Sequence, residues 1–350
     1  MRYSHGNLIK KHLKILSGLQ YDSGLFAASK KGQEVGYDKA WLRDNFYECL
    51  AFEFVDDYDT VYRTYRAVLE IFKKHEYKID YAVEKKPEHT HQYIHARYNP
   101  ETFEEYWEEW GNKQNDSVGC ILFKLGQLEE LRPGFIVDDD DRRVVQKLVE
   151  YLGTLEYWHD EDSGMWEEDQ EVHASSVGAC VAGLKMAGNI PGVEIPERLI
   201  TEGEKALAEL LPRESKRKSV DLALLSLIWP YAVTTPEQTS EILKNVEHHL
   251  VRERGVIRYE GDKYYSENPN GVSGDAEWTF GLSWLAIIYQ KMRKFDKARE
   301  YLEKAKAADT PMGMPELYYA NSDLFNDNTP LGWSESLFIV ALHEIDRKRA

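Results

Sequence analysis

Cysteine is scarce in this chain: 3 among 350 residues, at Cys49, Cys120 and Cys180, far apart and without a CxxC pair. Each sits in an apolar helical pattern, which reads as a buried reduced thiol and points to a reducing, cytoplasmic setting. Long apolar runs are missing as well. Nothing approaches the ~18 apolar residues of a membrane span, and Lys10, Lys11 and Lys14 interrupt the amino-terminal stretch where a secretory leader needs a continuous apolar core of about 7–15 residues. Positive charge is in deficit, with 44 Lys and Arg against 61 Asp and Glu and a formal net charge of −17. The densest basic piece, Lys216-Arg217-Lys218, lies between Glu214 and Asp221. Phosphate backbones and anionic lipid surfaces are therefore repelled, and neither nucleic acid nor membrane is an expected partner. No glycine-rich phosphate cradle of the GxGxxG or GxxxxGK type occurs, and no GxSxG nucleophile motif.

What the chain does have is helical periodicity. With 42% hydrophobic and 12% aromatic residues it is a folded globule. Apolar positions recur at helical spacing at Leu8, Leu13, Ile15 and Leu16, over Trp41 to Phe54, Val61 to Phe72 and Val118 to Leu131. The same pattern returns at about 141–155, 172–187, 196–211, 218–228, 236–251, 276–291, 294–307 and 332–346, which makes roughly twelve helices. Strand signals are few, and no Ser/Pro linker or shift of composition divides the chain. Twelve antiparallel helices without a boundary close as two concentric rings of six, so the expected architecture is all-α, a single (α/α)6 toroid spanning residues 1–350. A helical-repeat solenoid is the alternative, prompted by Phe295 to Leu302, but no period of ~34 residues repeats that piece. The segments 78–115, 156–171, 252–275 and 308–330 read as long polar loops rich in aromatics and carboxylates, the place where function usually sits.

Two loop carboxylates stand among aromatics. Trp166-Glu167-Glu168 precedes the helix expected near His173, and a Trp face beside a carboxyl raises its pKa toward general-acid use, although such an acidic run is equally a solvated helix-capping loop. Glu316 lies in Met314-Pro315-Glu316-Leu317-Tyr318-Tyr319. A carboxylate pair flanking a pocket is what glycoside hydrolysis requires: one protonates the leaving oxygen, the other, about 6.5–9.5 Å away in inverting enzymes, activates water. Pyranose rings also want aromatic platforms for their CH faces and charged or amide groups for their hydroxyls. Trp41-Leu42-Arg43-Asp44, Trp110-Gly111 with Gln114-Asn115-Asp116, and Arg258-Tyr259 with Asp262 and Tyr264 supply both, while each reads equally as a buried ion pair or packed aromatic. His89, His91 and His95 have ligand-like spacing, yet no cysteine reinforces them, and they are read as a structural or substrate-lining loop; no metal and no cofactor is expected.

In order and character these blocks resemble glycoside hydrolase family 15, the glucoamylases. The resemblance runs from about residue 20 to 345 through Trp41-Leu42-Arg43-Asp44, Trp110-Gly111, Gln114-Asn115-Asp116, Trp166-Glu167-Glu168, Arg258-Tyr259, Pro315-Glu316 and Pro330-Leu331-Gly332-Trp333-Ser334. It implies Glu167 as general acid, Glu316 as general base, and Arg43 with Asp44 as the clamp on the nonreducing sugar. Trp41, Trp110, Gln114, Asp116, Trp166, Glu168, Arg258, Tyr259 and Trp333 would make up the rest of the sugar site. The implied activity is exo-acting, inverting hydrolysis of short α-glucosides of the maltose, isomaltose or trehalose kind, by a toroid without the amino-terminal β-sandwich that many prokaryotic members carry. His95 to Thr102 and His173 to Gly178 also resemble the amino-terminal part of phosphorylase kinase α and β subunits. That likeness implies the alternative of a noncatalytic, sugar-binding or regulatory toroid.

Overall fold

Two kinds of helix alternate along the chain, amphipathic ones and ones buried on every side. The computed structural model describes residues 5–30, 36–108 and 110–346. Among them are thirteen α-helices: α1 (Gly6–Leu19), α2 (Leu42–Phe54), α3 (Tyr58–Lys74), α4 (Glu76–Glu84), α5 (Asn115–Leu131), α6 (Asp139–Leu155) and α7 (Ala174–Ala187), then α8 (Glu197–Leu210), α9 (Leu225–Ile228), α10 (Pro236–His249), α11 (Phe280–Lys291), α12 (Phe295–Ala307) and α13 (Gly332–Asp346). In α2, α5, α7, α11 and α13 nearly every residue is buried, charged ones included. In α3, α6, α8, α10 and α12 the buried residues form one stripe. A helix hydrophobic all round belongs inside, and one with a single apolar face belongs outside.

The packing follows. The inner helices contact one another in the order α2, α5, α7, α9, α11, α13 and back to α2, closing a ring. The outer partners α3, α6, α8, α10, α12 and α1 lean against it. This is the expected (α/α)6 toroid. The α5–α7 crossing is tight enough to require glycine, because a Cβ on Gly183 would lie 2.3 Å from the carbonyl oxygen of Gly119.

Several boundaries differ from the sequence expectation. Residues 218–228 are helical only from a 3-10 turn at Leu222–Leu224 through α9, since Asp221 caps the turn and Trp229 must be extended ahead of Pro230. The expected loop at 78–115 contains most of α4. Helix α6 starts at Asp139, where the Asp138 side chain accepts from the backbone of Asp141. The start of the 276–291 stretch is a strand instead: β3 (Glu277–Trp278) pairs antiparallel with β4 (Leu317–Tyr318), as β1 (Ala40–Trp41) does with β2 (Arg97–Tyr98).

Five of the six inner helices therefore begin just after a stretch that carries candidate chemistry, α9 being the exception. Trp41 precedes α2, Gln114 precedes α5, Trp166 to Glu168 precede α7, Trp278 precedes α11, and Glu316 and Leu331 precede α13. The alternation of antiparallel hairpins brings these starts to one mouth of the ring.

One buried group in that ring is not part of any pair. Glu48 is fully buried on α2, both its carboxyl oxygens lack hydrogen-bond partners, and a Cβ on Gly332 would fall 1.9 Å from Oε1, so this glycine makes the room it occupies. Burial, reinforced by Asp44, holds its pKa well above the ordinary 4.5. The folded state keeps the proton while the unfolded chain releases it at its ordinary pKa, so this contribution is complete at acid pH and lost as pH rises through the folded value. In Glu48→Gln, stability measured by denaturant titration is expected to fall less steeply with pH above 4.5, by up to about 1.4 kcal/mol per pH unit. Parallel wild-type and variant curves would remove Glu48 as the cause.

Candidate active site

At the mouth of the inner ring lies a cavity of about 620 Å³. Glu167 and Glu316 line it, as do Arg43, Asp44, Glu168 and Arg258. Its aromatic walls come from Trp41, Trp110, Trp166 and Trp333, joined by Tyr37, Tyr264 and Trp278. Ten of the thirteen residues singled out from the sequence thus share one concavity. The other three, Gln114, Asp116 and Tyr259, stand behind the wall instead of on it.

Arg43 shows why. Its side chain is 3% exposed, and Nη1 donates to Gln114 Oε1 at 2.8 Å and Asp116 Oδ2 at 2.9 Å, while Nη2 donates to Glu167 Oε1 at 3.2 Å. Burial by itself lowers the pKa of the guanidinium, but Asp116, Glu167 and Asp44 outweigh it and raise it. Gln114 and Asp116 therefore fix Arg43 from its far side. Asp44, on the cavity wall, is pushed up to about 6 by burial against the pull of Arg43.

Glu167 sits with φ of 64°, a left-handed conformation uncommon for a residue with a side chain. The turn from Gly164 sets it, since Glu167 N donates to Gly164 O and Glu168 N to Ser163 O. Its side chain keeps 23% exposure toward the cavity. Burial raises its pKa to about 7, with Arg43 opposing. A carboxyl so placed is available as a proton donor near neutral pH.

Glu316 is held differently. It is 1% exposed, and its Oε1 accepts from Tyr37 Oη at 2.8 Å while Oε2 accepts from Asn328 Nδ2 at 2.8 Å and from Asn326 Nδ2. Since Tyr37 donates there, Tyr264 Oη, 2.8 Å away, donates to Tyr37. Burial moves the Glu316 pKa above 4.5, and the three donors restrain it. The carboxylate is thus oriented by donors that leave it the role of acceptor. Tyr37 feels the charges of both Glu316 and Glu167, so both acids lie near it.

Glu168 makes a third anchor. Its Oε1 accepts from Arg258 Nη2 at 2.9 Å, its Oε2 from Lys218 Nζ at 2.6 Å, and Tyr259 Oη reaches both oxygens at 2.8 Å. Arg258 is gripped in turn by Asp262, at 2.6 and 2.7 Å, and its guanidinium lies 5.3 Å over Trp166 and 5.0 Å over Trp278. Trp166 Nε1 donates to Asp221 Oδ1 at 2.8 Å. The floor is Trp333, stacked between Tyr47 at 4.2 Å and Phe280 at 4.6 Å. Tyr37, Asn326 and Asn328 were not singled out from the sequence: each is a lone polar loop residue that gains meaning only from the carboxylate it meets. Trp278 was legible only as an aromatic at a helix start.

The three spaced histidines do not converge. His89 and His91 stack on each other at 5.7 Å, whereas His95 is buried, accepts from Arg97 N, and is pushed down to about 3 by burial. Among the described residues no group of three His, Cys, Asp or Glu side chains is placed to hold a metal ion, and no helix is long and apolar enough to cross a membrane.

A ring of inner and outer helices with two differently tuned carboxyls in an aromatic cavity is a glycosidase-type toroid. Comparison with known proteins agrees: the sequence profile of glycosyl hydrolases family 15 matches residues 5–342, and the chain belongs to that family. An uncharacterized glycosyl hydrolase of Methanocaldococcus jannaschii is 23% identical over 271 residues, covering 67% of this chain and 42% of that protein. The liver α regulatory subunit of phosphorylase b kinase from Oryctolagus cuniculus is 25% identical over 393 residues, covering 91% of this chain and 31% of the subunit. The chain thus spans well under half the length of these curated relatives. Among solved structures, a glycosidase variant in complex with glucose superposes with a TM-score of 0.82 at 17% identity, covering 97% of this chain and 96% of the other. A bacterial glucoamylase complexed with acarbose gives a TM-score of 0.72 at 16% identity, covering 98% of this chain and 56% of the other. These likenesses establish the toroidal fold.

Proposed function

We propose that this chain is an inverting, exo-acting α-glucoside hydrolase that releases β-glucose from the nonreducing ends of short α-glucosides, the maltose, isomaltose or trehalose kind. The observation that carries the reading is the pair itself: Glu167, raised to about 7 and open to the cavity, and Glu316, buried and held by three donors, line one aromatic pocket. Glu167 protonates the glycosidic oxygen as oxocarbenium character develops, and Glu316 takes the proton of the water attacking the opposite face. Arg43 and Asp44 hold the hydroxyls of the terminal sugar, with Gln114 and Asp116 keeping Arg43 in place. Trp41, Trp110, Trp166 and Trp333 supply faces for the ring, and Glu168, Arg258 and Tyr259 order the side where the leaving portion lies. No metal or organic cofactor is needed by this chemistry, and residues 1–350 act as one catalytic domain.

The test is a panel of maltose, isomaltose, trehalose and longer α-glucans followed by the anomeric protons in NMR. Early β-glucose identifies the linkage, whereas α-glucose first would overturn the single-displacement reading. The alternative, a noncatalytic sugar-binding or regulatory toroid, is favoured by the phosphorylase kinase α relatives, which align with most of this chain. It predicts saccharide affinity without turnover on any member of the panel.

The two acids also set a pH profile. The essential form has Glu167 protonated and Glu316 ionised, so kcat/KM is expected to rise through a limb above 4.5, where Glu316 loses its proton, and to fall through a limb near pH 7, where Glu167 does. Activity still climbing beyond pH 8 would remove Glu167 from the acid role.

A further inference from the structure

A second and larger concavity, about 1230 Å³, opens beside the first between α4, the 88–95 loop and the segments 104–108 and 110–112. Four aromatic side chains are classed as exposed among the described residues, and three of them, Tyr77 (65%), Tyr81 (42%) and Trp107 (102%), rim this cleft. Bare aromatics gathered around one hollow mark a binding surface, since scattered exposure would be the ordinary case. Tyr106 extends the aromatic lining, with Lys39 Nζ 4.1 Å from its ring centre.

The charge pattern narrows the ligand. Glu88, Glu104, Glu105 and Glu108 line the cleft, and each is paired with a cation: Glu88 with Lys85 at 2.9 Å, Glu104 with Lys74 at 2.7 Å, Glu105 with Lys78 at 2.8 Å, and Glu108 with Arg97 at 2.7 Å and Lys39 at 3.2 Å. Charges compensated in this way give neither a phosphate nor a charged peptide a net field to follow. Neutral pyranoses suit such a surface: aromatic faces take their CH faces, and the lone pairs of the carboxylates and of the Asn112 amide oxygen take their hydroxyls.

Position favours a saccharide over a basic peptide. Trp110 lines both concavities, and next to it Arg97, 4.2 Å over the Trp110 ring on the catalytic side, donates to Glu108 on the other at 2.7 Å. A cavity of about 620 Å³ holds only the end of a glucan. The chain beyond it has to leave past a wall, and this wall leads to aromatics.

We infer that the cleft bordered by Tyr77, Tyr81 and Trp107 is a second saccharide site, which binds an α-glucan chain remote from the hydrolysed bond. The choice of an α-glucan rests on the proposed function above. β-Cyclodextrin separates the two ideas, because a cyclic α-1,4-glucan has no nonreducing end to enter the catalytic cavity. Isothermal titration calorimetry on the full chain is expected to show cyclodextrin binding that persists in Glu316→Gln and weakens at least tenfold in Trp107→Ala and Tyr81→Ala. Trp107 is wholly exposed, so its loss leaves the fold intact. KM for maltoheptaose relative to maltose is expected to rise about fivefold or more in Trp107→Ala. No cyclodextrin binding, or binding that both substitutions leave unchanged, overturns the cleft, as does capture of a basic peptide in place of the sugar. Binding with these losses but no turnover of any glucoside keeps the cleft and fails the hydrolase reading.

Discussion

Glu167→Gln and Glu316→Gln are each expected to lower kcat by about 10²–10⁴-fold, the range that a placed proton donor or acceptor supplies, with the melting temperature nearly unchanged. The amide keeps the shape of the carboxyl and much of its hydrogen bonding. At Glu316 one oxygen still accepts, from Tyr37 or from Asn326 and Asn328. At Glu167 the amide carbonyl still faces Arg43. What disappears is chemistry: an amide neither donates a proton to the glycosidic oxygen nor takes one from water. The two losses are separable, because a substrate with a good leaving group needs little protonation and so should rescue Glu167→Gln but not Glu316→Gln. Wild-type turnover in either variant, assayed by glucose release on the preferred substrate, would sink the assignment of that residue.

Asp116→Ala is expected to cost about 3–5 kcal/mol of stability, the penalty for leaving a buried charge without its main partner, and so to lower the melting temperature by roughly 4–7 °C. Arg43 is 3% exposed and Asp116 buried, so water does not replace the lost carboxylate. The remaining neighbours are Gln114, which is neutral and hydrogen-bonded, Glu167, and Asp44, which acts through space. Arg43 then falls more heavily on Glu167 and favours its ionised form, so the alkaline limb near pH 7 moves to lower pH. Asp116→Asn, which still offers an oxygen to Nη1, should lose less stability while shifting the limb in the same direction. Calorimetry and a pH profile of kcat/KM check both parts, and an unmoved limb with unmoved stability would show that Asp116 does not hold Arg43.

Much of the toroid was legible because its rings leave different marks on the chain. Inner helices such as Val118 to Leu131 and 276–291 run apolar on all sides, and outer ones such as 236–251 and 294–307 keep a stripe, so the order of the twelve ring helices follows from local pattern, while α4 lay unread within the expected 78–115 loop. Boundaries failed where one residue outvoted the period. Asp221, capping the 3-10 turn at Leu222–Leu224, kept residues 218–221 out of the helix, and pairing with Leu317–Tyr318 drew Glu277–Trp278 into a strand.

The site divides in the same way. Trp41-Arg43-Asp44, Trp166-Glu167-Glu168 and Glu316 could be picked out because charged and aromatic residues crowd the loops that open inner helices, and crowding is a local property. Whether such a residue faces the cavity or its back is not: Arg43 lines the hollow while Gln114 and Asp116, from an equally suggestive block, brace it from behind. Tyr37 reaches Glu316 across 279 positions of sequence, and Asn326 and Asn328 return to it from the loop beyond β4. The sequence by itself determined the helices and the chemistry stored at their starts. Only closure of the ring decided which carboxyl is opened to the cavity and which is held by three donors, because burial and the long-range bond from Tyr37 come from the far end of the chain, and Asn326 and Asn328 act only once their loop folds back on Glu316.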